Sequence, residues 1–310
     1  MIEYLKEKYE LKYYLCELPH SVAIKMNEFF ESGNKDILEE FYRGSAGTNT
    51  YTEESYQRWV ELYELNQTLS KDDKITMVGV ECELIPEYAM GVICELLPDK
   101  EAPAEIAPMV EQIKKNVCTP EEIADMLSTI EENETICENY FGDKMFDIKH
   151  MLKNIEIGYH VHEKDTNHDK YMIRDQAMYD NFVVLNSRNK QGKYFGQFGY
   201  LHALQSEEQG VKWFASLLKE NGYDGKIASI MVEYKNCHRI YFNDYNTPCI
   251  DTMDTGPMAD ISQEVIGNLS KDNAVIYSAV EEKSPYHHLT DYIQYVIIVK
   301  DSEQAVPLEM

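Results

Sequence analysis

Two rhythms of apolar and polar residues alternate along this chain. Short runs dense in β-branched and aromatic residues predict buried strands: LKYYL (11–15), ITMVGV (75–80), KYFGQF (193–198), IASIMV (227–232), AVIYSA (274–279) and YIQYVIIV (292–299). Between most of them, apolar residues recur every three or four positions, the helical period. Strand alternating with helix predicts an α/β fold: a largely parallel sheet flanked by helices. Towards the C-terminal end, where RIYF (239–242) adds another strand-like run, mixed and partly antiparallel pairing is expected. Residues 99–168 carry no such run. MVEQIKKN (109–116), TPEEIADMLSTI (119–130) and KMFDIKHMLKNIEIGYH (144–160) all read as helices. In the second, Thr119 is placed to cap, Pro120 to open the first turn and Glu122 to complete a capping box. Ile123, Met126, Leu127 and Ile130 then share one face. The expected organisation is an α/β core formed by 1–98 and 169–310, with 99–168 as a helical insertion packed on it.

Charge narrows the choice of partner. The 310 residues hold 29 Lys and Arg against 55 Asp and Glu, a formal charge of −26 with no basic tract to offset it. Such a chain repels phosphates and anionic membrane surfaces, so neither nucleic acid nor a membrane is expected as a partner. The opening MIEYLKEKYELKYYL has no apolar run of signal-peptide or membrane-span length. Seven cysteines, odd in number and without a CxxC pair, suit a reducing cytoplasm and argue against a cysteine-rich zinc site. No Walker A loop, dinucleotide glycine fingerprint or Gly-x-Ser-x-Gly elbow occurs, so no cofactor is expected and a serine triad of that type is not. The 23 tyrosines read as core and cleft lining.

In open α/β sheets, ligands bind beyond the carboxyl ends of the strands, where loops converge. The residues after each expected strand are therefore the candidates for chemistry. LKYYL leads to Glu17 and His20, ITMVGV to Glu81 and Glu83, and KYFGQF to Gly199 and His202. Carboxylate with imidazole is the usual equipment for moving a proton to or from water near neutral pH. RDQAMYDN (174–181) adds Arg174 and Asn181 to one helical face, beside core-facing apolar residues. An arginine there needs a partner, and a strand-end carboxylate is the natural one. The bland alternatives are a helix cap for Glu17, a solvated loop acid for Glu81, a core histidine for His202 and an ion-pair staple for Arg174. YHVHEKDTNHDKY (159–171) offers His160, His162, His168, Asp165 and Asp169 as zinc ligands, but the spacing reads better as a solvated loop. No metal is expected.

RDQAMYDN followed by GKYFGQFGYLHAL (192–204) resembles the Arg-Asp-x-x-Met-x-x-Asn helix and Gly-x-x-His strand end of erythromycin-esterase-like proteins. YLKEKYELKYYLCELPHSVAIKMNEFFESGN (4–34) and KITMVGVECE (74–83) are similar to that family's glutamate-ending strand and its Gly-x-Asp strand, with Glu81 where Asp is usual. WFASLLKENGYDGKIASIMVEY (213–234) and TDYIQYVIIVKDSEQAVP (290–307) are similar to its closing elements. The resemblance implies an α/β core with a deep cleft and hydrolysis of an ester or lactone, with a histidine activating water and glutamates orienting it. It places Glu17, Arg174 and His202 in the catalytic cleft. Glu81, Asp175, Asn181 and Gly199 are the candidates for substrate binding. The family's opening Gly-Glu-x-x-His-Gly motif, with its presumed general base, is missing here. CELPHS keeps Glu17 and His20 at the Glu-x-x-His spacing without the glycines. Three expectations stand open: an N-terminally truncated chain, His20 in place of the lost base, or a protein without catalysis.

The leading expectation is thus a hydrolase of weak or no activity acting on a small-molecule ester or lactone. A non-catalytic small-molecule-binding homologue is the second. A metal-dependent hydrolase built on Glu17, Glu81, His20 and His202 is the third. A missing first strand would leave a sheet edge open to another chain, so oligomerisation through that edge is also expected.

Overall fold

A computed structural model describes residues 1–48, 50–116, 118–235, 237–241, 244–251 and 274–309. In chain order the elements are α1 (Ile2–Tyr9), β1 (Leu11–Pro19), α2 (His20–Ser32), α3 (Lys35–Gly44), α4 (Glu53–Thr68), β2 (Thr76–Glu81), α5 (Pro86–Glu95), α6 (Ala107–Lys114), α7 (Pro120–Glu132) and α8 (Glu134–Phe141). They continue with α9 (Met145–His162), α10 (Asn167–Arg188), β3 (Lys193–Gln197), α11 (Phe214–Leu218), β4 (Ile230–Lys235), β5 (Cys237–Tyr241), β6 (Asp244–Asp251), β7 (Ala274–Ser278) and β8 (Tyr295–Lys300). The class is α/β, and each of the six apolar runs contributes a strand. Phe242, the last residue of RIYF, lies outside the described residues, as do Cys249's side chain and the segment 252–273.

The chain forms two compact units. The first comprises Met1–Glu28 and Asp73–Gln197. Its sheet is fully parallel, in the order β2-β1-β3. The central strand β1 buries Leu11, Tyr13, Tyr14, Leu15 and Cys16, as expected of a strand covered on both faces. The helices of 99–168 belong to this unit. Their apolar stripes and that of α5 merge into one core, with Ile93, Ile113, Ile123, Met126, Ile130, Met151 and Ile155 fully enclosed. The capping box on α7 is present, with Thr119 and Glu122 each serving the other's backbone. One expectation is corrected here. The His160–His162 stretch is the last turn of α9 and not a loop, because Ile157 and Val161 pack with Cys82 and Ala177 and extend the helix. The turn is confined to 163–166, and Thr166 then caps α10 by accepting the Asp169 N–H at 3.1 Å.

The second unit comprises Phe29–Asp72 and Phe198–Met310. Its sheet is mixed, in the order β4-β8-β7, with β4 and β8 parallel and β7 antiparallel to β8. β5 and β6 form a separate antiparallel pair. No helix among the described residues is long and apolar enough to cross a membrane.

Candidate functional site

The carboxyl ends of β1 and β2 lie side by side. Their register slips between Cys16 and Pro19, so β1 bulges at Glu17 and Leu18. Gly79 of β2 faces this bulge. A Cβ there would overlap the carbonyl oxygens of Leu18 and Pro19, so only glycine lets the strands close. A bulge re-aims side chains next to it, and Glu17 here meets α10. Arg174 of that helix donates from Nε to Glu81 Oε2 at 3.0 Å and from Nη2 to Glu17 Oε1 at 3.0 Å. Nη2 also bonds Glu81 Oε2. One guanidinium thus ties two adjacent strand ends to one helix. Burial opposes the charge on Arg174, but hydrogen bonds and attraction from Glu81, then Glu17, outweigh it and raise its proton affinity. Glu81 is buried, its Oε1 also accepting the Cys82 N–H at 3.0 Å. Glu17 keeps about a quarter of its side-chain surface exposed, 26%, and is the reachable carboxylate of the pair.

Two residues beyond Glu81, Glu83 is 1% exposed. It caps α2: Ser21 donates its N–H to Oε1 at 2.9 Å and its hydroxyl to Oε2 at 2.6 Å. Burial pushes the Glu83 carboxyl up to about 7, against the pull of the Ser21 bonds and with help from the charge of Glu81. The thiol of Cys82 between them is pushed up by burial and by Glu81, so it is held as a neutral thiol.

Asn181 donates to the Val80 carbonyl at 2.8 Å and exchanges amide hydrogen bonds with Asn154 of α9. The Asn154 carbonyl in turn accepts the Glu83 N–H. Gly158, one turn on, packs so closely that a Cβ would overlap the Glu83 carbonyl oxygen. Asn181 and the fully buried Asp175 therefore lie inside the structure, on the helix that carries Arg174. His20 is turned to a different neighbourhood. Its Nε2 meets Asp147 of α9 at 2.9 Å, and its ring stands edge-on to His150. Burial, then the nearby His20, pushes His150 down to about 3. Asp147, His150 and Asn154 fall at i, i+3 and i+7 on α9. Polar residues in a stripe beside Ile148, Met151 and Leu152 were the sequence signal for this cluster, and Glu83 was signalled by its alternation with Glu81.

His202 belongs to the second unit. It sits in a single 3-10 turn, Tyr200–Ala203, opened by Gly199, whose carbonyl accepts the His202 N–H at 3.1 Å. It is buried, with Trp213 edge-on at 5.7 Å between ring centroids. Just after the turn, Gln205 bonds Gln294 and Ser229, which ties the turn to the strand β8 region. Among the described residues no group of three or more His, Cys, Asp or Glu gathers so that it could hold a metal ion. Glu17 and Glu81 are gathered around Arg174, and His20 pairs elsewhere.

No family model matches the chain, and no curated protein matches it. Solved structures do. A Bacillus cereus protein superposes with a TM-score of 0.72 at 15% identity, over 100% of this chain and 85% of the other. A succinoglycan biosynthesis protein gives 0.70 at 12% identity, over 99% and 83%. A mutant erythromycin esterase in its open conformation gives 0.65 at 12% identity, over 100% and 86%. The likeness is one of fold.

Proposed function

We propose that this chain is an erythromycin-esterase-like hydrolase that opens a small-molecule ester or lactone by water attack. The observation that carries the reading is the Arg174 clamp. An arginine from the RDxxMxxN helix holds Glu17 and Glu81 at neighbouring parallel strand ends, on a fold shared with an erythromycin esterase. In this reading Glu17, the exposed member, accepts a hydrogen bond from the attacking water and orients it. Arg174 keeps that carboxylate in place. Glu81, Asp175 and Asn181 act as positioning residues through Arg174 and α10, and Gly199 sets the turn that carries His202. Proton transfer falls to His202, as the resemblance implies.

Turnover of a panel of esters and lactones by the full chain and by Glu17→Gln, His202→Ala and His20→Ala tests this. Glu17→Gln and the substitution of the true base should each lower turnover by about 10²–10⁴-fold while the far-ultraviolet spectrum stays unchanged. Turnover that survives all three substitutions overturns the reading.

One observation favours a second reading, a non-catalytic binding protein. His20, the histidine nearest Glu17 in sequence, pairs with Asp147 and not with the clamp. Saturable binding of a lactone without turnover, lost on Glu17→Gln, would select it.

A further inference from the structure

The start of α2, the start of α9 and the end of α10 enclose an open groove of about 600 Å³. His20, Phe146, Asp147, Ser187, Arg188 and Asn189 line it. It is separate from the clamp: Arg174 and Arg188 are fourteen residues apart on α10, about 21 Å along the helix axis.

Three features of this wall are arranged as a binding site would need. Asp147 Oδ1 and His20 Nε2 lie 2.9 Å apart, a contact that a carboxylate makes with the Nε2–H tautomer, whose Nδ1 is an acceptor. Arg188 lies over the Phe146 ring, 3.7 Å from its centroid, and Phe146 is itself stacked on the buried His150 at 5.2 Å. This cation–π seat orients the guanidinium without consuming its N–H edges. No carboxylate pairs with Arg188 among the described residues, although the chain carries 55 acids against 29 bases. The volume is within the range of small-molecule sites. Ser187 and Asn189 add polar groups to the wall.

We propose that this groove is a second ligand site, taking a polyhydroxylated carboxylate of sugar-acid size, whose carboxylate is held by Arg188 and whose hydroxyl donates to His20. A guanidinium fork matches a carboxylate in two parallel bonds. A neutral imidazole oriented by an acid accepts from a hydroxyl. Asp147 is a positioning residue, acting through His20.

The test uses the full chain and calorimetric titration with gluconate. Hexanoate shares the carboxylate but lacks hydroxyls, glucose shares hydroxyls but lacks the charge, and inorganic phosphate is a bare anion. Gluconate should bind saturably, and the other three at least about tenfold more weakly. Arg188→Gln, at an exposed position, should weaken gluconate about tenfold or more. Asp147→Asn should weaken it and shift the ¹⁵N tautomer signature of His20 away from Nε2–H. Glu17→Gln should leave gluconate binding unchanged, so the groove is separable from the ester or lactone site. Absence of saturable gluconate binding overturns the proposal. So do equal affinity of the Arg188→Gln chain, phosphate binding as tightly as gluconate, an unmoved His20 signature, or loss of binding on Glu17→Gln.

Discussion

Glu81 and Glu83 stand two residues apart at the end of β2, both buried, and the structure accommodates them in opposite ways. Around Glu81 it supplies a full charge, the Arg174 guanidinium shared with Glu17. Around Glu83 it supplies only dipoles, the N–H and hydroxyl of Ser21 at the start of α2. The difference shows in what burial does. Desolvation penalises an ion heavily unless a counter-charge faces it. With hydroxyl and amide alone, Glu83 is pushed up to about 7 and holds its proton near neutrality. His150, on the same side as Glu83 through Asn154, is the converse case, a buried base pushed down to about 3. One flank of the β1–β2 strand ends is thus a charged clamp, and the other is a neutral, hydrogen-bonded layer.

Breaking the charged flank should cost most. Arg174→Met leaves Glu81 buried without its counter-ion, and a loss of about 3–5 kcal/mol in unfolding free energy is expected. Urea denaturation at pH 7 measures it; a loss under about 1 kcal/mol would mean the clamp is only a surface pair.

The neutral flank should show itself in pH dependence. Glu83 has a raised folded value, so its contribution to stability is full below the ordinary 4.5 and is lost as pH rises towards 7. His150 has a lowered folded value. Its contribution is full above the ordinary 6.5 and is lost as pH falls towards 3. Between 4.5 and 6.5 the two slopes oppose, each about 1.4 kcal/mol per pH unit. Relative to the parent chain, Glu83→Gln should therefore make stability rise more steeply with pH in that window. His150→Asn should make it fall. Unfolding free energies at half-unit steps test both signs, and parallel curves for all three chains would remove the distinction between the flanks.

Gly79→Ala acts on the joint between the strands. Its new methyl overlaps the Leu18 and Pro19 carbonyls, so a loss of about 1–3 kcal/mol is expected. Because the bulge carries Glu17, ester or lactone turnover should fall with it under the proposed function. The smallest effect is expected from Ser21→Ala, about 1 kcal/mol for one hydroxyl bond. Loss of a bond that favours the ion should push Glu83 further up, read as a higher midpoint in a carboxyl ¹³C titration.

Much of the molecule was legible before any coordinate. Each apolar run became a strand, and Ile123, Met126, Leu127 and Ile130 are all buried on α7 as their spacing required. Arg174 found strand-end carboxylates because a cation beside core residues has few other solutions. The His160–His162 stretch is helical where a loop is expected, because its polar histidines hide Val161, which packs inward one turn after Ile157. His20 and Glu17 share a familiar spacing in sequence, yet they face different partners, since the strand continues to Pro19 before α2 begins.

What the sequence determined by itself is therefore the local content: where strands and helices run, how α7 begins, and which residue types stand at the strand ends. These follow from period, capping and turn chemistry within a few residues. Only the tertiary structure decided who pairs with whom. Glu17 and Arg174 are 157 positions apart, His20 and Asp147 127, Ser21 and Glu83 62. A hydrogen bond forms or fails over less than about 1 Å. Bulge, register and helix packing set distances that fine, and none of them is written in the neighbours of any one residue.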